Sequence, residues 1–200
     1  MPKTLQNSRY EKILELLQGQ QGRLLDIGCQ RGVLCHELSK AGFQTSGIDI
    51  GDDLIENAKH DFPELDFQVF NCDGHKLPFP DGHFDVVWAG DVIEHICHTD
   101  TFVNEINRVT KDGGIFALST PSHNRIKNVL VALFRFEKHF DPEFPHYRFY
   151  TLKSLRGILE KRGFKLTNVT YVGRHWPIPN IIMVVSKKEE KKALTSEHRF

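Results

Sequence analysis

The sequence predicts an α/β fold built on a doubly wound parallel sheet. Short apolar runs, such as residues 84–90, are typical of strands that are buried on both faces. Segments with apolar residues at helical spacing, such as 99–110, lie between these runs, and this alternation implies right-handed βαβ units. The 200 residues are enough for one domain with a substantial core.

The predicted elements alternate regularly up to about residue 120. Strands are expected at 24–26, 43–50, 66–71, 84–90, 115–119, 164–172 and 181–186. Helices are expected at 10–17, 33–41, 99–110, 126–136 and 152–162, with one more that Asp52 or Asp53 caps and that stops before Pro63. We find no internal repeat or linker. Residues 1–200 are therefore predicted to form one domain, with an insertion at 121–150 and a charged tail at 187–200.

Composition argues against several classes of protein. Lys+Arg and Asp+Glu are equal at 26 each, so no overall basic excess points to nucleic acid, although a locally basic surface stays open. No apolar run is long enough to span a membrane, and the first residues lack the apolar core of a signal peptide. The cysteines lack a C-x-x-C pair, which favours reduced thiols and a cytoplasmic protein; they are Cys29, Cys35, Cys72 and Cys97.

A glycine turn follows the first predicted strand at residues 28–32. Such a turn lets the backbone approach a ligand closely, and the helix after it directs free N–H groups at that ligand. Acids stand at three predicted strand ends, at Asp26, Asp49 and Asp73. An acid after the second strand can accept both hydroxyls of a ribose, with helix capping as the alternative role. The two glycines of the turn are four residues apart, which is a poor match for the dinucleotide pattern G-x-G-x-x-G.

Five segments in register resemble the motifs of the class I S-adenosylmethionine-dependent methyltransferases. They are the glycine turn 26–32, the ribose segment 47–50, the adenine-side loop 72–79, the fourth-strand motif 84–96 and the turn 111–114. The resemblance covers 9–120 well and 146–172 weakly, and is greatest to the small-molecule branch that includes the ubiquinone-biosynthesis O-methyltransferases. It implies a Rossmann-like, seven-stranded, mostly parallel sheet of order 3-2-1-4-5-7-6, with strand 7 antiparallel and a lid insertion after strand 5.

The resemblance also implies S-adenosylmethionine as the cofactor and S-adenosylhomocysteine as the product. In this family the glycine turn surrounds the methionyl part, the second acid binds the ribose and the third binds the adenine amino group. The corresponding cofactor residues here are Tyr10, Asp26, Gly28, Cys29, Gln30, Gly32, Asp49, Ile50, Asp73, Gly74 and Asp91. Gln30 stands where the family commonly has glycine, so its side chain must point away from the cofactor or contact it, and we expect altered binding there.

The candidate catalytic residues follow the fourth strand. Asp91, Glu94 and His95 stand at i, i+3 and i+4, so on a helix they would share one face. One interpretation makes His95 a general base oriented by a carboxylate. A second makes all three, with His146, ligands of a divalent metal, a pattern similar to the small-RNA 2′-O-methyltransferases. A third is structural: Glu94 and His95 cap and pin the helix.

The insertion at 121–150 is the expected lid over the acceptor. Its aromatic residues would offer a packing surface for a planar or lipid-like acceptor, or would simply bury the insertion; they are Phe134, Phe136, Phe140, Phe144, Tyr147, Phe149 and Tyr150. The amphipathic stretch 126–136, flanked by basic residues, could instead contact a membrane surface or a second subunit. Residues 175–177 (His-Trp-Pro) could edge the acceptor pocket or form a surface turn.

The function expected from these observations is methyl transfer from S-adenosylmethionine to a small molecule, at oxygen. One alternative is a metal-assisted RNA 2′-O-methyltransferase. Others are a nicotinamide-dependent oxidoreductase, which the glycine spacing disfavours, and a non-catalytic module that kept the cofactor fold. The identity of the acceptor and the oligomeric state stay open.

Overall fold

A seven-stranded sheet forms the centre of the computed structural model, which describes residues 3–134, 136–139, 146–173 and 180–190. The strands are β1 (Gly22–Ile27), β2 (Phe43–Asp49), β3 (Asp66–Val69), β4 (Phe84–Gly90), β5 (Thr110–Pro121), β6 (Phe164–Val172) and β7 (Ile181–Lys188). Their order is β3-β2-β1-β4-β5-β7-β6, and β7 runs antiparallel to both of its neighbours. The predicted sheet is confirmed in strand order and direction.

Helices flank both faces of this sheet. They are α1 (Lys3–Leu16), α2 (Val33–Lys40), α3 (Asp52–Asp61), α4 (Thr99–Val109), α5 (Arg125–Phe134), α6 (Phe136–His139) and α7 (Leu152–Glu160). None of the helices in the described part of the chain is both long and apolar enough to cross a bilayer.

The two faces of β4 explain the apolar run at 86–89 in this strand. Val87 and Ala89 join one buried cluster, which also contains Phe102 of α4. Val86 and Trp88 join a second cluster on the opposite face, against α1 and α2. Because successive side chains of a strand point to opposite faces, a central strand is apolar wherever it is covered on both sides, and the half-buried Asp85 is the exception in β4.

The chain after β4 differs from the prediction. Instead of a helix that carries three site residues on one face, it forms a single 3₁₀ turn, Ile93–His95. Asp91 has a positive φ of 54° and its N–H donates to Ser119 O, so the chain turns sharply before a helix can start. Neither Asp52 nor Asp53 is the N-cap, because Gly51 holds that position and both acids lie in the first turn of α3.

Several predicted features lie outside the described residues. They are the lid aromatics Phe140 and Phe144, the basic residue Arg135, residues 175–177 and the tail beyond residue 190.

Candidate active site

The turn after β1 contains three residues with left-handed backbone conformation. Gly28, Gln30 and Gly32 have φ angles of 77°, 51° and 73°. The N–H groups of Gly28 and Cys29 donate to Ile48 O at 2.8 and 3.1 Å, which ties the turn to the end of β2. The turn is therefore held at the carboxyl edge of the sheet, where ligands of doubly wound folds bind.

Close packing requires both glycines of the turn. A Cβ at Gly28 would lie 2.6 Å from Val92 Cγ2, and one at Gly32 would lie 2.4 Å from the Phe67 ring. Gly32 thus lets the start of α2 approach β3. Within the described residues it lines neither of the two cavities at this edge, so its predicted contact with the cofactor stays a prediction.

The larger cavity, of about 370 Å³, opens at the carboxyl ends of β1, β2, β3 and β4. Its walls are Ile27, Gly28, Ile48, Asp49, Ile50, Phe70, Asn71, Cys72, Asp73, Asp91, Val92, His95, Ile96, Cys97 and Tyr147. The mixture of apolar walls with a few carboxylates suits a nucleoside, whose base is planar and whose ribose offers hydroxyls.

Asp49 lies at the centre of this wall. One carboxylate oxygen accepts the Gln30 N–H at 2.9 Å, and the other accepts the Gly51 N–H at 3.0 Å. A carboxylate has about four lone-pair positions, so these two bonds leave room for the hydroxyls of a ribose. Asp49 therefore stabilises the local backbone and can still accept hydrogen bonds from a ligand in the cavity.

A smaller cavity, of about 30 Å³, shares Gly28 with the first. Its walls are Tyr10, Asp26, Gly28, Cys29, Gln30, Leu34, Trp88 and Gly90. Asp26 is buried at its base, with Cys35 Sγ 3.6 Å from its Oδ2. Burial raises the pKa of Asp26 to about 7, the contact with Cys35 opposes this shift, and the charge of Asp49 adds to it. A cation placed in this cavity would favour the ionised form of Asp26.

Asp73 accepts hydrogen bonds from the loop before α4 and also lines the larger cavity. Its carboxylate accepts the N–H groups of Cys97 and His98 at 3.0 and 2.7 Å, and His98 Nδ1 lies at 3.1 Å. Burial raises the pKa of Asp73, but these hydrogen bonds outweigh it, and the pKa lies below its usual value. Gly74 packs against the His98 ring rather than into either cavity of the described structure.

Three of the predicted catalytic and metal residues come together beside the larger cavity. One ligand atom each from Glu94, His95 and His146 lies within 4.8 Å of the others, and the two imidazole centroids are 4.8 Å apart. Glu94 is 1% exposed, and its Oε2 accepts the Thr120 hydroxyl at 2.9 Å. One carboxylate and two imidazoles form a donor set that suits a divalent transition metal.

Asp91 is separate from this cluster in the described structure. Its Oδ1 accepts the Ser119 hydroxyl at 2.9 Å, while its side chain lines the larger cavity. The predicted set of four ligands is thus reduced to three, because the positive φ of Asp91 removes it from the face that a helix would have shared.

Backbone hydrogen bonds bring the distant histidine to this place. The N–H groups of Tyr147 and Arg148 both donate to Glu94 O, at 3.0 and 3.2 Å. The chain after the insertion is therefore fixed to the 3₁₀ turn, and Tyr147 lies over the larger cavity.

The sequence interpretation missed several cavity residues. Phe70 and Asn71 follow β3 directly, so the rule that sites form at strand ends would have included them. Trp88 lies in the predicted strand 84–90 without a predicted site role, yet it walls the smaller cavity. Of the predicted lid aromatics, Tyr147 does line the larger cavity, where its N–H donates to Glu94 O, a residue distant in sequence.

The sheet order, the glycine turn and the acids at successive strand ends define the class of fold, which is that of the class I S-adenosylmethionine-dependent methyltransferases. A family model described as a methyltransferase domain matches residues 3–169, and the chain belongs to that family.

Two curated relatives are similar to this chain in sequence. The chain is 29% identical over 151 residues to the ubiquinone biosynthesis O-methyltransferase of Colwellia psychrerythraea (strain 34H / ATCC BAA-681), covering 72% of this chain and 61% of that protein. It is 32% identical over 117 residues to the protein of that name from Bradyrhizobium sp. (strain ORS 278), covering 58% and 46%. The chain thus spans between about half and two thirds of these relatives.

Solved structures agree with the fold. An S-adenosylmethionine-dependent methyltransferase from Methanosarcina mazei superposes with a TM-score of 0.70 at 21% identity, covering 90% of this chain and 98% of the other. One from Mesorhizobium loti gives 0.73 at 16% identity, covering 92% and 100%.

Proposed function

We propose that this methyltransferase transfers the methyl group of S-adenosylmethionine to a hydroxyl oxygen of a small, apolar, aromatic acceptor. The observation that carries the proposal is the cluster of Glu94, His95 and His146 at the end of the cofactor cavity. A hydroxyl must lose its proton as it attacks the methyl group, and this cluster supplies the groups that can take or stabilise that proton.

The two cavities divide the cofactor between them. The adenosine would occupy the larger cavity, with its ribose hydroxyls on Asp49 and its base against Ile50 and Phe70. The methionyl part would reach the smaller cavity, where Asp26 would pair with its ammonium group. The shared wall at Gly28 has no side chain, so the backbone can approach the link between the two halves.

The transfer itself is a displacement in line. The acceptor oxygen forms a bond to the methyl carbon as the carbon–sulfur bond breaks, and the electron pair of that bond stays on sulfur in S-adenosylhomocysteine. His95 is the base that accepts the hydroxyl proton, and the buried carboxylate of Glu94 stabilises the resulting imidazolium. The protein otherwise contributes mainly alignment of the two reactants.

The same three residues fit a divalent cation. Glu94, His95 and His146 would hold it, and it would lower the pKa of an acceptor hydroxyl. Transition metals accept such a mixed oxygen and nitrogen set, and magnesium accepts it less readily.

The acceptor class is supported by the surroundings and by the relatives. Tyr147 lies over the cavity, and beyond it the ring of Phe149 packs edge-on against His123 with centroids 4.8 Å apart. Two curated relatives are named for O-methylation in ubiquinone biosynthesis. The cytoplasmic location expected from the scattered cysteines, and the absence of a nucleic-acid substrate, stay predictions.

The test is methyl transfer from labelled S-adenosylmethionine to a panel of phenols and catechols with and without apolar tails. His95→Ala is expected to lower turnover at least about 100-fold while S-adenosylhomocysteine still binds, because only the proton transfer is removed. His60→Ala, a change at an exposed histidine on α3, is the matched control. Near wild-type turnover of His95→Ala on the best acceptor would contradict the proposal.

A chelator distinguishes the two roles of the cluster. Loss of turnover in EDTA that manganese or zinc restores would assign the metal role. Full activity in EDTA would assign the role of base to His95 and overturn the metal role.

A further inference from the structure

Helix α5 presents its apolar side to solvent. Five apolar residues of α5 are exposed, here called the α5 stripe: Ile126, Val129, Leu130, Leu133 and Phe134. Leu133 and Phe134 are 69% and 76% exposed. A surface helix normally turns such a stripe to the core, so α5 has the reverse orientation.

Polar contacts at the start of α5 fix this orientation. Lys127 Nζ donates to Ser122 O at 2.6 Å, and Lys127 N donates to Asn124 Oδ1 at 2.9 Å. Lys127 and Val131, which are four positions apart, are the half-buried residues of α5 and therefore face the body of the protein. The α5 stripe occupies the remaining, outward side.

The charge of the residues around α5 distinguishes between the surfaces that could cover the α5 stripe. Apart from Lys127, which faces the protein body, residues 123–139 contain three Lys and Arg against one acid, Glu137, whereas the whole chain has 26 of each sign. Pairing of two copies through the stripe would bring two basic segments together, which electrostatics opposes. An anionic lipid surface combines apolar depth with negative charge, and it complements both properties of the segment.

We propose that α5 docks this enzyme on an anionic bilayer, lying in the interface with the α5 stripe towards the acyl chains. Ten residues of helix are about 15 Å long, which is too short to span a bilayer but suits an interfacial helix. Helix α5 is the next element after β5. The ring of His123, just before α5, packs edge-on against the ring of Phe149. An acceptor dissolved in the bilayer would meet the protein on the side of the methyl-transfer site.

Flotation with vesicles tests the docking without any catalytic readout. The full chain is mixed with vesicles of equal phosphatidylcholine and phosphatidylglycerol, or of phosphatidylcholine alone. We expect the wild type to float with the anionic vesicles, and the bound fraction to fall as salt is raised.

Two variants separate the apolar and electrostatic contributions. Val129→Asp with Leu133→Asp is expected to lower the vesicle partition constant at least about ten-fold, because it places two charges on the α5 stripe. Arg125→Glu is expected to lower it about five-fold on anionic vesicles only. Tyr171→Asp, at another exposed apolar position, on β6, is the control and should bind vesicles like the wild type.

Retained affinity for S-adenosylhomocysteine in each variant shows that the fold is intact and that the result is independent of the proposed reaction. The proposal is overturned if the wild type does not float, or if the double variant binds as the wild type does. It is also overturned if sedimentation shows that the α5 stripe instead holds two copies together, with the dimer lost in the double variant.

Discussion

The cofactor side and the acceptor side of the larger cavity are assembled differently. On the cofactor side, the main predicted elements stand at successive strand ends: the glycine turn follows β1, Asp49 ends β2, and the loop with Asp73 follows β3. On the acceptor side, the 3₁₀ turn after β4 meets a segment that returns only after the insertion.

This difference has a physical origin. Parallel strands place their carboxyl ends side by side, so the cofactor side follows from the order of the sheet alone. The acceptor side requires specific contacts between distant parts of the chain, such as those that Glu94 O accepts from Tyr147 and Arg148. Changes on one side should therefore affect binding of the cofactor, and changes on the other should affect turnover.

The largest expected effect is on the acceptor side. His146→Ala should lower turnover about 100-fold or more where the cluster holds a metal, because one of its three ligands is removed. The dissociation constant of S-adenosylhomocysteine should change less than about two-fold, because this residue does not line the larger cavity in the described structure. Calorimetric titration beside the methyl-transfer assay measures both quantities. An equal loss in both would show that the two sides are not separable. His60→Ala controls for a change at an exposed histidine.

Removal of the Asp49 carboxylate should instead weaken binding of the cofactor product. Asp49→Ala should weaken S-adenosylhomocysteine binding by about 2–3 kcal/mol, or about 50-fold, because hydrogen bonds from two ribose hydroxyls to a charge are lost. Asp49→Asn retains an acceptor for the Gln30 N–H and separates this loss from disturbance of the turn. Asp52→Ala, which removes the same charge from the first turn of α3, should bind normally.

The pH dependence of binding should report on Asp26. The pKa of Asp26 is about 7 in the free protein, and a cationic ammonium favours the ionised form. Affinity for S-adenosylhomocysteine should therefore rise by up to about ten-fold per pH unit from pH 5 to about 7 and then level off. Asp26→Asn should flatten this profile, and a wild-type profile that is already flat would contradict the assignment.

The same group should affect the stability of the free protein in the opposite direction. The folded-state pKa of Asp26 is raised above its unfolded value of 3.8, so its stabilising contribution is complete below about pH 4 and is lost as pH rises to about 7. Asp26→Asn should therefore raise the free energy of unfolding relative to the wild type more at pH 8 than at pH 5. Denaturant titrations at the two pH values measure the difference.

The smallest expected effect concerns the unusual residue of the turn. Gln30 holds a φ of 51° that glycine adopts without strain, so Gln30→Gly should stabilise the fold by about 0.5–1 kcal/mol. For a chain of this size that is a rise of about 1–4 °C in Tm. Gln44→Gly, at an exposed position of β2, should lower Tm instead.

The sequence was sufficient to predict the sheet because burial on both faces leaves a signature in strands such as β4. It was also sufficient to bring Asp49 and Gly28 together, since both follow from strand ends. It failed after β4, where helical spacing was assumed for residues that a positive φ at Asp91 removes from a common face. The backbone conformation of a single residue such as Asp91 leaves no periodic pattern in the sequence, so it could not be inferred.

Glu94 contributes to the site through two independent parts of its structure. Its carboxylate belongs to the candidate catalytic cluster, whereas its carbonyl oxygen receives the returning chain. Attachment through main-chain atoms does not depend on which side chains the returning segment carries. The stretch between residue 121 and His146 can thus be exchanged while His146, Tyr147 and Arg148 are kept, and grafting a different loop there is a direct route to new acceptor specificity on an unchanged cofactor platform.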